Sequence, residues 1–480
     1  MKKILPVLIL LLFTVNCFGQ QFAQYNTGTL YDSFENLSQR SFIPDSSRKY
    51  AFNFFLPNLS VNSYLKGNAQ VPLKTRAFSG YYTADNLKVG PGNVYNRVNA
   101  NVNNYWVMFK VFTSLEGNSE VGVSLQTRAE GRGLFTDETV ALYAGPGAFP
   151  KDHYDDIFNN TGTYQAYHQA SFTYREKLSK KFAVGIKLSA LMGIRYQKAT
   201  VTSSSIDFDR ANDAALLSMT GRYYLNYNPG PFNSHDYLPT FRNPGAAIGI
   251  GTSLRTRDNF NLQFNFKDVG FIHWSSRSTV YNFASADTIF NLSTSRRENN
   301  IYDAVKNIAK TNVTVGSFTT PTNGKFEVSA NKQFWLDYDN RYKYSPTLIL
   351  SKELFFDGFT AALVNPFQYK NYVVTLTTAY DNNRVFSLGG QFMIKSPNAE
   401  FFIGSERFLP TASTALAGLK SNSQINKNAA YTAVDLFLGV SFKFGPVIEH
   451  PLNASFIPTE NSPGFIKRLY NRIFGKDNGD

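Results

Sequence analysis

The sequence predicts an all-β fold: a transmembrane antiparallel β-barrel of about 14 strands, with an N-terminal plug segment and a short C-terminal helix. Three observations predict it. The one long apolar run sits at the very start of the chain, and the remainder carries many short segments that alternate apolar and polar residues. Aromatic residues reach 15% while charged residues stay at 17%, below the roughly 25% charged share of ordinary soluble domains. A chain of 480 residues exceeds what one compact core usually absorbs, so a soluble reading needs two or more domains. No Pro-rich, Gly/Ser-rich or long charged linker between Arg48 and Pro446 supplies a boundary. A barrel needs none, because strands are added around a ring and the outer face meets lipid. An aromatic-rich soluble sandwich is the alternative.

Residues 1–19 read as a secretory signal peptide. Lys2 and Lys3 precede the apolar LPVLILLLF, and Cys17-Phe18-Gly19 offers small side chains at −3 and −1 of a cleavage site. Cys17 is the only cysteine. Asn16 stands where a lipoprotein signal carries Gly, Ala or Ser, so cleavage is expected, and the mature chain then has no thiol or disulfide chemistry. Export of a barrel predicts the outer membrane, its lipid and the barrel-assembly machinery as partners. The net charge of +13 comes from singly spread bases in an exported chain, which argues against nucleic acid. Those bases suit anionic headgroups or anionic solutes, or are simply solvated.

Residues 20–47 are polar and lack strand alternation, so they are expected to fold into the lumen as a plug; a loose periplasmic tail is the alternative. The barrel is expected over 48–445. In 182–195, Phe182, Val184, Ile186, Leu188, Ala190, Met192 and Ile194 form one face, with Lys187 on the other. In 121–131, Val121, Val123 and Leu125 alternate with residues that include Gln126 and Arg128. The cleanest row is 259–267, where Phe260, Leu262, Phe264 and Phe266 oppose Asn259, Asn261, Gln263, Asn265 and Lys267. Period-2 alternation places the two rows in different solvents, lipid outside and lumen inside. Asn261, Gln263, Asn265, Lys267, Lys187 and Arg128 are therefore the lumen-lining candidates. By this reading Arg is costly at Phe264 and nearly neutral at Asn265.

Further strands are expected at 104–114, 164–177, 214–227, 245–256, 276–285, 311–319, 324–335, 345–354, 358–365, 370–381, 383–394, 398–408 and 431–444. Turn chemistry separates many of them, including Arg257-Asp258, Thr322-Asn323-Gly324, Asp357-Gly358 and Ser396-Pro397-Asn398. Long links at 132–163, 228–244 and 409–430 alternate loosely with these short turns, as in outer-membrane barrels. Two helices stand out. Asn299–Lys310 puts Ile301, Val305 and Ile308 on one face. Ser462–Lys476, within a periplasmic tail at 446–480, has Ser462 as N-cap and Pro463 at N1. Its basic amphipathic pattern suits an anionic membrane surface or the periplasmic mouth of the barrel.

The opening YDSFENLSQRSFIPDSSRKYAFNFFLPNLSVNSYL and the ending AEFFIGSERFLPTASTALAGLK…AVDLFLGVSFKFG resemble an uncharacterised family of Bacteroidota outer-membrane barrels, over about Gln20 to Gly445. More distantly, the organisation is similar to long-chain fatty-acid transporter barrels and to barrel subunits of the Bacteroidota secretion apparatus. These resemblances imply a lumen closed by N-terminal residues, with passage of hydrophobic molecules or a scaffolding role. They bring no catalytic residue. The terminal-aromatic assembly signal would lie internally, at Phe442 and Phe444.

Chemistry is otherwise sparse. His153, His168, His235, His273 and His450 have no metal-pair spacing, and no metal or cofactor is expected. No phosphate loop, dinucleotide fingerprint or nucleophile elbow is present. His273-Trp274-Ser275 places an imidazole and a hydroxyl on one strand face, as in barrel-wall lipid hydrolases, but lacks an assignable third residue. A rim His beside a girdle Trp is the preferred reading. The expected function is therefore non-enzymatic: passage or handling of hydrophobic or small solutes by an outer-membrane barrel. A structural or secretion-associated scaffold that binds partner proteins comes second, and a lipid hydrolase using His273 and Ser275 third.

Overall fold

The computed structural model describes residues 21–39, 47–56, 58–113, 118–226, 238–339, 341–419, 430–448 and 466. Fourteen strand positions, all antiparallel, close into a ring. The first position, β1, is broken into Ser47–Phe54 and Asn58–Lys66, with Phe55 at φ +54° in the break. Both pieces pair with β2 (Tyr95–Phe112) on one side. On the other side both pair with the last strand, Thr432–Ile448, which closes the wall.

The ring continues through β3 (Ser119–Thr136), β4 (Thr161–Lys177) and β5 (Phe182–Asp209). The 28 residues of β5 outrun the wall. Its lower half, 182–192, pairs with Pro244–Arg255; its upper half, 197–209, pairs with β6 (Ala214–Leu225). We label Pro244–Arg255 β7, Phe260–Trp274 β8 and Thr279–Phe290 β9. β9 pairs with β6, so these two strands rise above the ring as an extension of the wall. The ring itself passes from β7 and β8 to β10, made of Phe318–Pro321 and Lys325–Lys332. It is completed by β11 (Thr347–Glu353), β12 (Phe359–Tyr369), β13 (Tyr372–Asp381), β14 (Phe386–Lys395), β15 (Ala399–Ser405) and β16 (Thr432–Ile448).

The exposure pattern is inside out for water. On β13, Tyr372, Val374, Leu376 and Tyr380 are exposed, while Thr375 and Thr377 are fully buried. An apolar outer row opposite a polar inner row suits lipid outside and a polar interior, and stacked outer rings such as Tyr50–Phe444 and Tyr342–Tyr369 supply girdle contacts. Among the described residues no helix is long and apolar enough to cross a membrane. One rim carries tight links, such as 178–181, 256–259, 370–371 and 396–398, together with Ser47 and Ile448. The other rim carries the helical links: α2 (Gln70–Ser79), α3 (Asp137–Ala144), α4 (Arg297–Ala309) and α5 (Phe408–Leu419).

Several expectations change. Thr322-Asn323-Gly324 is an interruption within β10 and not a hairpin turn, because both pieces of β10 pair with β8. The interruption faces Asp268, where β8 takes an extra residue at φ +48°, and the Thr322 hydroxyl donates to the Asp268 carbonyl at 2.6 Å. The link read as 132–163 is shorter, since β3 runs to Thr136 and β4 begins at Thr161. In α4, Ile301 and Ile308 are buried, but Ala304 and not Val305 completes the buried face. Residues 1–20 and the C-terminal helix lie outside the described residues, except Ile466, whose N–H donates to Glu176 at 2.9 Å.

Candidate functional site

Alternation turns one side chain in two toward the axis, and on this barrel many of those are charged. Lys267 pairs with Glu327 at 2.7 Å, Lys187 with Asp268 at 3.0 Å, Arg132 with Glu353 at 3.2 Å and Lys443 with Glu400 at 2.5 Å. Arg128 bridges Asp268 and Glu35, both at 2.7 Å, and Arg175 pairs with Glu120. Removing one partner of such a buried pair leaves an uncompensated charge and costs about 3–5 kcal/mol. Asp268 is the residue that sequence reading missed. The bulge at φ +48° breaks the alternation of β8 and swings this acid inward, where Gln169 also donates to it at 2.8 Å. A lone acid after a Phe-alternating strand, in NFKDVG, is the only sequence signal.

Residues 21–39 cross this interior. Thr29 caps the short helix α1 (Leu30–Glu35), accepting the Asp32 N–H at 3.2 Å. The segment is buried and touches the wall around the ring. Its backbone N–H groups at Ala23, Leu30 and Ser38 donate to Glu406 (2.7 Å), Glu400 (2.9 Å) and Asn265 (2.8 Å). Lys395 donates to the Thr27 carbonyl at 3.1 Å, and Arg175 to the Gln39 carbonyl at 3.2 Å. Glu35 accepts from Tyr105 (2.7 Å), Asn103 (3.2 Å) and Arg128. Leu30, Tyr31 and Phe34 fill an apolar pocket with Met108, Phe402 and Phe437.

Wall glycines make the seat. A Cβ at Gly249 would lie 2.6 Å from Leu37 Cδ1, one at Gly122 2.9 Å from Phe34 Cζ, and one at Gly251 would strike the Ser38 nitrogen. Burial pushes Asp32 up to about 6, against the pull of the Gly28 N–H, Arg175 and Lys267. Burial likewise pushes Glu406 up to about 8. Glu35 is buried too, but Arg128 and Lys187 outweigh that and hold it down at about 2.

Of the expected lumen positions, Gln263 and Asn265 are fully buried, and Lys267 and Lys187 nearly so. Gln263 donates to Asn26 at 2.8 Å; Asn265 donates to the Tyr25 hydroxyl (2.6 Å), Asn36 (3.0 Å) and the Ser38 hydroxyl (2.9 Å). Lys187 donates to the Phe34 carbonyl at 3.4 Å, and Arg128 holds Glu35. Asn261 is half-buried at the start of this row. Gln263, Asn265, Lys267, Lys187 and Arg128 meet the chain's own N-terminal segment and not open water, which alternation alone does not reveal. His273 meets Thr319 at 3.1 Å, while the Ser275 N–H donates to Asn243 at 3.0 Å. Trp274 is fully buried against Tyr196 and is no girdle residue.

A second concavity lies on the opposite face of the wall. Val98, Ala100, Gly131, Gly133, Gly162 and Tyr164 alternate with inward Arg128, Glu130 and Arg132, and pair across β2, β3 and β4. They therefore face outward. α3 and α4 fold back over this outer face, and Ile301, Ala304 and Ile308 form a core with Ile206, Phe208, Leu217 and Phe283. Between helix and wall remains a cavity of about 770 Å³.

A model described as "Family of unknown function (DUF5723)" matches residues 42–406. The chain belongs to this family. No curated protein matches the sequence. Similar solved structures include a TodX monoaromatic hydrocarbon channel mutant, deltaS2S3, at 8% identity and TM-score 0.41, covering 89% of this chain and 95% of that one. A Pseudomonas aeruginosa FadL homologue is 11% identical at TM-score 0.41, covering 90% and 99%. The Pseudomonas putida toluene transporter TodX is 6% identical at TM-score 0.40, covering 90% and 98%. At such identities and scores these similarities carry no argument about activity.

Proposed function

We propose that this protein is a gated outer-membrane barrel that passes or handles small or hydrophobic solutes, non-enzymatically, with residues 21–39 as the gate. The carrying observation is the way the segment is held. It crosses the interior without joining the sheet, on separate side-chain contacts to Glu406, Glu400, Asn265 and Arg128. Such contacts are released one at a time and leave the wall's own ladder intact. In this reading the tight-link rim faces the periplasm and the helical rim the outside. The scaffold reading has its own support in β9, which pairs fully with β6 but on its other side meets 312–315 only over 279–282, with Asn300 donating to the Phe290 carbonyl, so the middle of that edge has no partner strand among the described residues.

A thiol cross-link tests the gate. Ser38→Cys with Asn265→Cys, joined by a short reducible cross-linker, should keep liposomes loaded with small solutes tight. Reduction should restore uptake to the uncross-linked rate. Equal uptake in the joined and reduced states would remove the gate from this proposal, and no uptake in either state would favour the scaffold.

A further inference from the structure

We propose that the cavity on the outer face of the wall holds one acyl chain of an anionic outer-leaflet lipid, with Lys306 and Lys310 at its mouth taking the headgroup phosphate. The site is separate from the lumen, since its wall residues Val98, Ala100, Gly131, Gly133, Gly162 and Tyr164 have the opposite parity to the inward Arg128 and Glu130. The same parity continues down β3 to Val121, Val123 and Leu125, the outer row that meets hydrocarbon. Between the two lies a polar belt on the outer face. The Trp106 indole N–H donates to the Thr127 hydroxyl at 2.7 Å, which lies 2.8 Å from the His168 ring. Trp at such a position marks the membrane–water interface. Gly131 lies four residues farther along β3, roughly 13 Å at the usual strand rise. At the usual strand tilt of about 40° this is roughly 10 Å along the membrane normal, so the cavity opens at the outer edge of the headgroup layer.

Its chemistry suits a hydrocarbon tail. Val98, Ala100, Leu217, Met219, Phe283 and Val305 line it, and the glycines at 131 and 133 lower its floor. Its volume of about 770 Å³ lies within the roughly 300–1,000 Å³ of ligand pockets. Water is a poor occupant of so apolar a space. The charge is set by α4. Its first residue, Arg297, reaches the Ala144 carbonyl at 2.6 Å, and its last turn leads into 313–315, which pairs with the ring-proximal end of β9. That direction puts Lys306 and Lys310 at the membrane side. Among the described residues neither has a carboxylate in ion-pair distance; Lys306 lies 5.9 Å from the Tyr302 ring. Two uncommitted ammonium groups beside an apolar slot at headgroup level complement a phosphate attached to an acyl chain.

The test uses the full chain in nanodiscs of mixed phosphatidylglycerol and phosphatidylcholine. A diazirine-tailed phosphatidylglycerol is photo-crosslinked and mapped by peptide mass spectrometry. Residues 297–310 and 129–135 should be labelled several-fold above the ordinary lipid-facing strand 372–381. Lys306→Gln and Lys310→Gln should each lower that labelling roughly fivefold, and Gly131→Phe should abolish it. Equal labelling of the cavity and of strand 372–381, or labelling unchanged in both lysine variants, would overturn the proposal. So would labelling obtained only from free diazirine-tailed palmitic acid, which would make the occupant a soluble amphiphile.

Discussion

Phe264 and Asn265 are neighbours with opposite surroundings. Phe264 is 42% exposed on the outer face, while Asn265 is fully buried with four hydrogen bonds to Tyr25, Asn36 and Ser38. Phe264→Arg should cost about 2–4 kcal/mol if the residue lies near mid-membrane, measured by urea titration of folding into vesicles. Asn265→Arg, which the alternation alone marks as nearly neutral, should displace residues 36–38 and raise their protease sensitivity while the barrel stays folded. Arg128→Met leaves Glu35 without an ion-pair partner among the described residues of the interior, while Asp268 keeps Lys187 at 3.0 Å, and should lower stability by about 3–5 kcal/mol. The sequence made the facing of these residues legible, because a strand alternates by geometry. It did not make their partners legible, since inward polar groups look alike whether they meet water or chain. Asp268 was invisible for a further reason: its bulge breaks the rule used to assign faces.

At the scale of the element, the N-terminal segment is also a titrating body. Asp32 and Glu406 are pushed up to about 6 and about 8, so both favour the buried, protonated state. Their stabilising contribution is full below their ordinary carboxylate range and is lost as pH rises through 6 and then 8. Glu35, held down at about 2, works the other way: its contribution is present above its ordinary range and is lost only as pH falls toward 2. Between about pH 5 and 9 the balance therefore runs one way. Proteolysis of residues 21–39 in the intact, folded protein should accelerate across that range, and Glu406→Gln should flatten the trend. A rate that falls with rising pH would contradict this seating. Polarity and lack of alternation marked this stretch as distinct, whereas the glycines at 122, 249 and 251 that make room for it look in sequence like ordinary strand glycines.

For the whole molecule, the outer apolar rows require lipid, so the protein should fractionate with the outer membrane and show heat-modifiable gel mobility. Free solubility in the periplasm would oppose it. The ring of 14 positions was legible as a number of alternating segments, because each wall strand keeps its own period and its own turn. The extension was not. β6 and β9 alternate like wall strands, and only the pairing of β5 with β7 below and β6 above shows that two strands stand above the ring. The proposed molecule joins these scales: a lipid-facing barrel whose interior is closed by its own residues 21–39. Single-channel conductance in planar bilayers tests it most directly, comparing the full chain with a variant that lacks residues 21–39 but keeps its heat-modifiable fold. The full chain should conduct little and the variant should open stable steps of much larger conductance. Equal conductance from two folded barrels would contradict the account.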